Sequence, residues 1–92
     1  MKVRFTDRSR RLFRKLDPQN RRDAEAALTA FVRDAATPGL NFEKLRGFKR
    51  LYSIRMNRNY RIILSRTDEP ETYEVWDAGP HDIYRTLREG DD

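Results

Sequence analysis

His81 is the only histidine of the 92-residue chain, and Tyr84 follows it three residues later. An imidazole can take a proton as a general base, and a phenol can donate or accept one at the other end of a reaction. The charge beside which they would act lies upstream. Between Glu43 and Asp68 there is no carboxylate, while Lys44, Arg46, Lys49, Arg50, Arg55, Arg58, Arg61 and Arg66 all fall there. Residues 1–66 carry 18 Lys and Arg against 6 Asp and Glu, and residues 67–92 carry 2 against 9, so the net charge of +5 conceals a basic body and an acidic tail. A polyanion suits such a segment. Paired guanidinium forks on a rigid strand also suit phosphate, both for binding it and for stabilising charge that grows on it during cleavage. With Arg55 and Arg61 beside His81 and Tyr84, the set could cleave RNA by attack of the 2′-hydroxyl without a metal. A plainer reading stays open: arginines on an exposed strand are often just solvated, and His81 could cap a terminal helix while Tyr84 packs with Ile83 and Leu87.

Other chemistries are excluded or unsupported. With no cysteine, neither disulfides nor thiolate catalysis nor a Cys-based zinc site is available, and one histidine cannot build a His-based metal site. Glu74, Asp77 and Asp82 are too scattered for the converging carboxylates of a two-metal nuclease. No Gly-rich phosphate loop and no Ser/His/Asp set is present. The expectation is therefore no metal and no small-molecule cofactor. The N-terminus, Met1 to Arg8, lacks an apolar signal core, and no stretch approaches the roughly 20 apolar residues of a membrane span. A cytoplasmic protein without membrane contact is expected.

The elements that must hold these residues follow from hydrophobic periodicity. Composition is 37% hydrophobic and 38% charged, yet ten aromatics and patterned apolar positions indicate a folded chain, of a size for a single domain spanning 1–92. Val3 and Phe5 alternate with polar neighbours as in a short edge strand. Thr6 or Asp7 can cap a helix bearing Leu12, Phe13 and Leu16 that stops before Asp17-Pro18. Asp17 and Pro18 then open a second helix with the stripe Ala24, Ala27, Leu28, Phe31 and Ala35, ended by Thr37-Pro38-Gly39. The period then changes to two. Tyr52, Ile54 and Met56 alternate with Ser53, Arg55 and Asn57; Arg58-Asn59 makes a two-residue turn; and in the returning strand Tyr60, Ile62 and Leu64 face oppositely to Arg61, Ile63 and Ser65. After a turn at Thr67 to Pro70, Thr72 to Ala78 forms a third strand, which Gly79-Pro80 breaks, and residues 82–88 form a short terminal helix. The expected fold is α+β: an N-terminal strand and two-helix hairpin on an antiparallel sheet, in the order β-α-α-β-β-β, with a short C-terminal helix. Burying Tyr52, Ile54 and Met56 under the helices leaves Ser53, Arg55 and Asn57 on an open face, and a matching hairpin register sets Arg61 beside them.

The runs Glu43 to Gly47, Leu51 to Asn57, Asn59 to Ile63 and Ala78 to Arg85 resemble the toxins of type II toxin–antitoxin systems, the RelE/ParE superfamily. The segments "KLRG", "YSIRMNRNYRI" and "HDIY" are weak singly and fairly specific in combination, and the resemblance covers nearly the whole chain. It implies the RelE-like fold and a microbial toxin that cleaves messenger RNA, in the ribosomal A site for the best-known branch, silenced by a cognate antitoxin wrapped around it. By that resemblance Arg55 matches a basic strand position, Arg61 the arginine of the "YR" pair, His81 a position held by His or Arg, and Tyr84 the terminal tyrosine. Lys44, Arg46, Lys49, Arg50 and Arg58 are the expected RNA-binding cations. Ser53 departs from the pattern, standing where the best-known branch has a second strand lysine, which implies either that proton transfer shifts toward His81 or that activity is weakened or lost. The ParE branch shares the fold yet poisons DNA gyrase without being a nuclease, and a non-catalytic RNA- or ribosome-binding module is a third possibility.

Overall fold

A strand followed by two helices opens the chain because each helix start carries its own cap. The computed structural model describes residues 1–88. Strand β1 (Lys2–Arg4) leads into α1 (Asp7–Lys15) and α2 (Pro18–Arg33). At Thr6 the hydroxyl accepts from the Ser9 amide at 3.1 Å while Ser9 Oγ accepts from the Thr6 amide at 2.9 Å, so two of the helix's orphan donors are satisfied reciprocally. Asp17 caps α2 by accepting from the Asn20 amide at 2.8 Å, with Pro18 at the first helical position, where its missing N–H costs nothing. Arg21 ties the two helices together, donating to the carbonyls of Phe13, Arg14 and Leu16 at the end of α1. The second helix stops at Arg33, short of the expected Ala35, because Asp34 turns extended and its side chain accepts from the Ala36 amide at 2.9 Å.

Strands β2 (Glu43–Lys44), β3 (Leu51–Arg55), β4 (Tyr60–Arg66) and β5 (Thr72–Pro80) follow, and a 3₁₀ turn (Ile83–Thr86) closes the described chain. The sheet order is β1-β5-β4-β3-β2. The α+β architecture is as expected, with four differences in detail. The sheet is mixed rather than antiparallel, since the helical hairpin returns the chain so that β1 lies parallel to β5 at the far edge. A fifth strand, β2, pairs Glu43 with Ser53 and Lys44 with Tyr52, and two residues are too few for alternation to reveal. The terminal helix is a single 3₁₀ turn. And Gly79-Pro80 does not break β5: Arg61 pairs with Gly79 and Tyr60 with Pro80. The His81 amide bonds the Asn59 carbonyl at 2.8 Å, so by alternation the donor missing at Pro80 points to the other side, where β1 reaches only Thr72 to Glu74.

Both helices cover one face of the sheet. Phe13, Ala24, Ala27, Leu28 and Phe31 meet Ile54, Met56, Ile62, Leu64, Tyr73 and Val75 there. Phe31 makes edge contacts with Phe42 at 4.9 Å and Tyr73 at 5.5 Å. Between Ile63 and Leu64 the β4/β5 register shifts, which leaves Trp76 as an extra residue on β5. It packs on the opposite face, against a smaller cluster of Leu51, Ile63 and Ile83. That face is therefore not open as expected. Leu45, Phe48 and Leu87 also lie on it, and Ser53 is only 1% exposed.

Candidate functional site

Two cross-strand rows set the geometry. Glu43, Ser53 and Ile63 pair side by side across β2, β3 and β4, and two residues along, Arg55, Arg61 and Gly79 pair across β3, β4 and β5. Paired residues share a face, so these rows lie on the sheet surface away from the helices. There a cleft of about 680 Å³ opens between the Glu43–Phe48 segment and the His81–Tyr84 segment. Its lining includes Glu43, Lys44, Arg46, Ser53, Arg61, His81 and Tyr84, over an apolar floor with Leu45, Phe48, Ile63 and Ile83.

Each wall is held by identifiable local structure. Gly47 has φ 88°, a left-handed conformation that a side chain would strain, and it lets the 45–48 turn close. Lys44 Nζ donates to the Phe48 carbonyl, and the Leu45 amide to the Leu51 carbonyl at 2.9 Å. On the opposite wall, Gly79 admits Ile83: a Cβ at Gly79 would sit 2.6 Å from Ile83 Cδ1. That contact seats the 3₁₀ turn on the sheet, and His81 and Tyr84 line the cleft that Arg61 also lines. Tyr84 is 48% exposed, with the Arg85 guanidinium 5.9 Å from its ring centroid. A side-chain hydrogen bond with Tyr84 raises the Arg85 pKa above its ordinary value, with the charges of Tyr84 and Asp82 adding to the effect. The Arg61 side chain is 29% exposed and its Nη1 lies 3.6 Å from Glu43 Oε1. At that distance the contact is an ion pair but not a hydrogen bond, which leaves the fork able to engage another anion.

Of the expected site residues, Lys44, Arg46, Arg61, His81 and Tyr84 line the cleft. Arg55 is directly opposite Arg61 but lies outside the lining, its Nε donating to the Asn57 carbonyl at 3.2 Å. Arg50 pairs with Asp68 at 3.2 Å, beyond the other end of the hairpin. Lys49 and Arg58 are exposed, Arg58 at the hairpin tip, and neither lines the cleft. Asn57 is not on the cleft face as expected. Its amide donates to Asn20 and Asp23 on α2, both at 2.8 Å, and its oxygen accepts from the Asn59 and Tyr60 amides, so the turn spans three residues and is anchored to the helix. Sequence reasoning missed Glu43, among the described residues the one carboxylate in the lining. Its signal was its position as the last acid before the basic run. Among the described residues no group of three or more His, Cys, Asp or Glu could hold a metal ion. In this arrangement Arg61 can hold an anion, while Glu43, His81 and Tyr84 offer groups that move protons around it.

Comparison with known proteins places the fold. The isolated RelE toxin of E. coli is 22% identical with a TM-score of 0.65, over 94% of this chain and 98% of that one. A chain of the RelB–RelE antitoxin–toxin complex from Methanococcus jannaschii has a TM-score of 0.68 at 16% identity, over 91% of this chain and 98% of that one. A chain of the toxin–antitoxin complex RelBE2 from Mycobacterium tuberculosis is 25% identical with a TM-score of 0.57, over 87% and 96%. No curated protein sequence matches the chain. The model of the ParE-like toxin domain matches residues 18–86, which takes in both cleft walls and well over half of the sequence. The chain belongs to the ParE-like toxin family, with the fold of the toxins of RelE/ParE-type toxin–antitoxin systems.

Proposed function

We propose that this toxin is a metal-independent endoribonuclease that cleaves messenger RNA on the ribosome. The observation that carries the reading is the meeting of Arg61, His81 and Tyr84 in one cleft with Lys44 and Arg46. In the reaction, a 2′-hydroxyl attacks the adjacent phosphorus, a P–O2′ bond forms, and the P–O5′ bond breaks. One group takes the 2′-proton and another returns a proton to the leaving 5′-oxygen. The Glu43 carboxylate and His81 are the candidates to take the 2′-proton, and Tyr84 at the rim, or His81 in its protonated form, returns one to the 5′-oxygen. Arg61 stabilises the charge that grows on the phosphate, and the apolar floor strengthens that interaction by keeping the local dielectric low. The outlying cations Lys49, Arg50, Arg55 and Arg58 extend the electrostatic footprint along the RNA. The partner that silences the toxin is a cognate antitoxin, for which the basic body favours an acidic segment that folds on binding.

The test incubates purified protein with messenger RNA, with and without translating ribosomes and with a chelator present, beside the His81→Ala and Arg61→Ala variants. The expected result is cleavage that survives the chelator, leaves 2′,3′-cyclic phosphate ends, and falls by about 10²-fold or more in each variant. The ribosome lanes decide whether the substrate is presented in translation. RNA intact in every lane sinks the nuclease reading. A supercoiling assay with DNA gyrase then tests poisoning of the ParE type, and salt-sensitive RNA binding without product identifies a binding module.

A further inference from the structure

Ser53 holds a polar group of the cleft that the mechanism above leaves unused. Its Oγ is buried and has no hydrogen-bond partner. Buried hydroxyls are nearly always paired, because leaving one unmade forfeits its bond to water. The side chain lies between Glu43 and Ile63 in a cross-strand row and contributes to the cleft lining. Arg61, two residues before Ile63 on β4, is the diagonal neighbour of Ser53 on the same face, at a Cα separation of about 7–8 Å that an arginine side chain easily spans. Glu43 is on β2 and Arg61 on β4, so their ion pair must pass over β3, and Ser53 is the small residue that β3 offers beside that crossing. A long side chain at 53 would obstruct the bridge.

We propose that Arg61 and the Ser53 hydroxyl form a single phosphate subsite, which the Glu43 carboxylate fills as a stand-in anion in the ligand-free protein. An incoming phosphate takes Arg61 from Glu43. The departure of Glu43 uncovers Ser53 Oγ, which donates to a non-bridging phosphate oxygen and so gains the partner it lacks. Glu43 is at the same moment freed for proton transfer. The inference rests on the nuclease reading only in assigning the phosphate to an RNA backbone.

The probes are a diribonucleotide made uncleavable by a 2′-deoxy sugar at the scissile position, and inorganic phosphate. Calorimetry on wild type, Ser53→Ala and Glu43→Gln gives the dissociation constants, with thermal unfolding of each variant in parallel. For Ser53→Ala the dinucleotide constant is expected to rise about tenfold, the loss of one hydrogen bond to a charged group, while Tm does not fall because an unpaired buried hydroxyl has been removed. A structural role would move Tm and leave the constant alone. For Glu43→Gln the constant is expected to drop several-fold as the competing carboxylate is neutralised. An unchanged constant in Ser53→Ala overturns the inference even if the wild type cleaves RNA. Ser53-dependent binding by a protein that cuts no RNA sinks the nuclease reading and leaves the subsite standing. Inorganic phosphate bound more tightly than the dinucleotide, with the same dependence on Ser53, overturns the assignment to RNA and makes the ligand free phosphate.

Discussion

Gly79→Ala isolates the contact that builds the cleft's second wall. Gly79 is not in a left-handed conformation, so the backbone tolerates alanine and only packing opposes it. The new Cβ would meet Ile83 Cδ1 at 2.6 Å and Cγ1 at 3.3 Å, and the first of these is closer than real contacts allow. Ile83 is 8% exposed and belongs to a cluster with only two other buried members, Leu51 and Ile63, so it has little room to retreat except outward. Overpacking of this kind costs about 1–3 kcal/mol, and the lower chain entropy of alanine in the unfolded state returns about 0.4–1. A net loss of about 1–2 kcal/mol lowers Tm by roughly 4–16 °C for a domain of this size. Activity should suffer more than stability. If the 3₁₀ turn lifts by about 1 Å, His81 and Tyr84 lose their alignment with Arg61, at about 10²-fold in rate. The assay pairs circular dichroism melts with RNA cleavage, on Gly79→Ala, on Ile83→Val, which removes Cδ1, and on both together. Ile83→Val alone costs about 0.5–1.5 kcal/mol. In the double variant the clash is gone, so its loss should be smaller than the sum of the single losses. Additive losses, or a Gly79→Ala protein as stable and active as the wild type, would refute the reasoning.

Three further outcomes follow from the geometry. Asn57→Ala removes four hydrogen bonds that hold the β3–β4 turn against α2. It should destabilise by about 1–3 kcal/mol, visible as a lower urea midpoint with unchanged slope. Arg21→Ala strips the donor from three carbonyls at the end of α1 and should cost about 1–2 kcal/mol while leaving RNA affinity unaltered, since its role is to close a helix rather than to meet a polyanion. Tyr73 sets an alkaline limit: burial, then the neighbouring Tyr52, raises its pKa above the ordinary value of 10.0. The unfolded chain thus loses this proton first as pH climbs, so the contribution of Tyr73 is intact below about pH 10 and is lost as pH rises through the higher folded value. Melts across pH 8–11 should show that decline, flattened in Tyr73→Phe; an identical decline in that variant would exclude Tyr73 as its source.

What the sequence revealed was whatever depends on local period and caps. Thr6, Asp17 and Pro18 carry helix starts in their own chemistry, and the alternation from Leu51 to Met56 sorts side chains between two faces without knowledge of the partner strand. The facing of Arg55 and Arg61 did not follow from the expected two-residue turn, which would set Arg55 opposite Ile62; it comes from the three-residue turn that Asn57 anchors to α2. What stayed hidden depends on residues distant in sequence. Nothing near Gly79 announces that Ile83 will fold back on it, so a glycine-proline pair read as a strand end when it is a strand with one face kept bare. Nothing in the two residues Glu43-Lys44 marks a strand, since β3 supplies the pairing. Glu43 was passed over for the same reason. Its importance comes from Arg61, eighteen positions later, and from the small Ser53 between them.

The two faces of the sheet divide stability from chemistry. Among the described residues, twelve buried ones pack on the helix side and three in the cluster on the cleft side, yet β3 and β4 contribute to both. Arg61 is therefore fixed by a strand whose neighbours Ile62 and Leu64 are wholly buried under the helices. His81 and Tyr84 are held instead by Ile83 and Leu87 in the smaller cluster and by the His81 amide's bond to the Asn59 carbonyl. Local opening follows the weaker contacts, so the 3₁₀ turn can lift without unfolding the body, whereas Arg61 can leave its place only with the whole sheet. In the proposed reaction the phosphate would thus meet a rigid guanidinium first, and the group that moves the proton would close over it afterwards. Binding strength and catalytic alignment are on that account separable by mutation: changes under the turn should alter kcat, and changes at Arg61 or Ser53 should also alter binding.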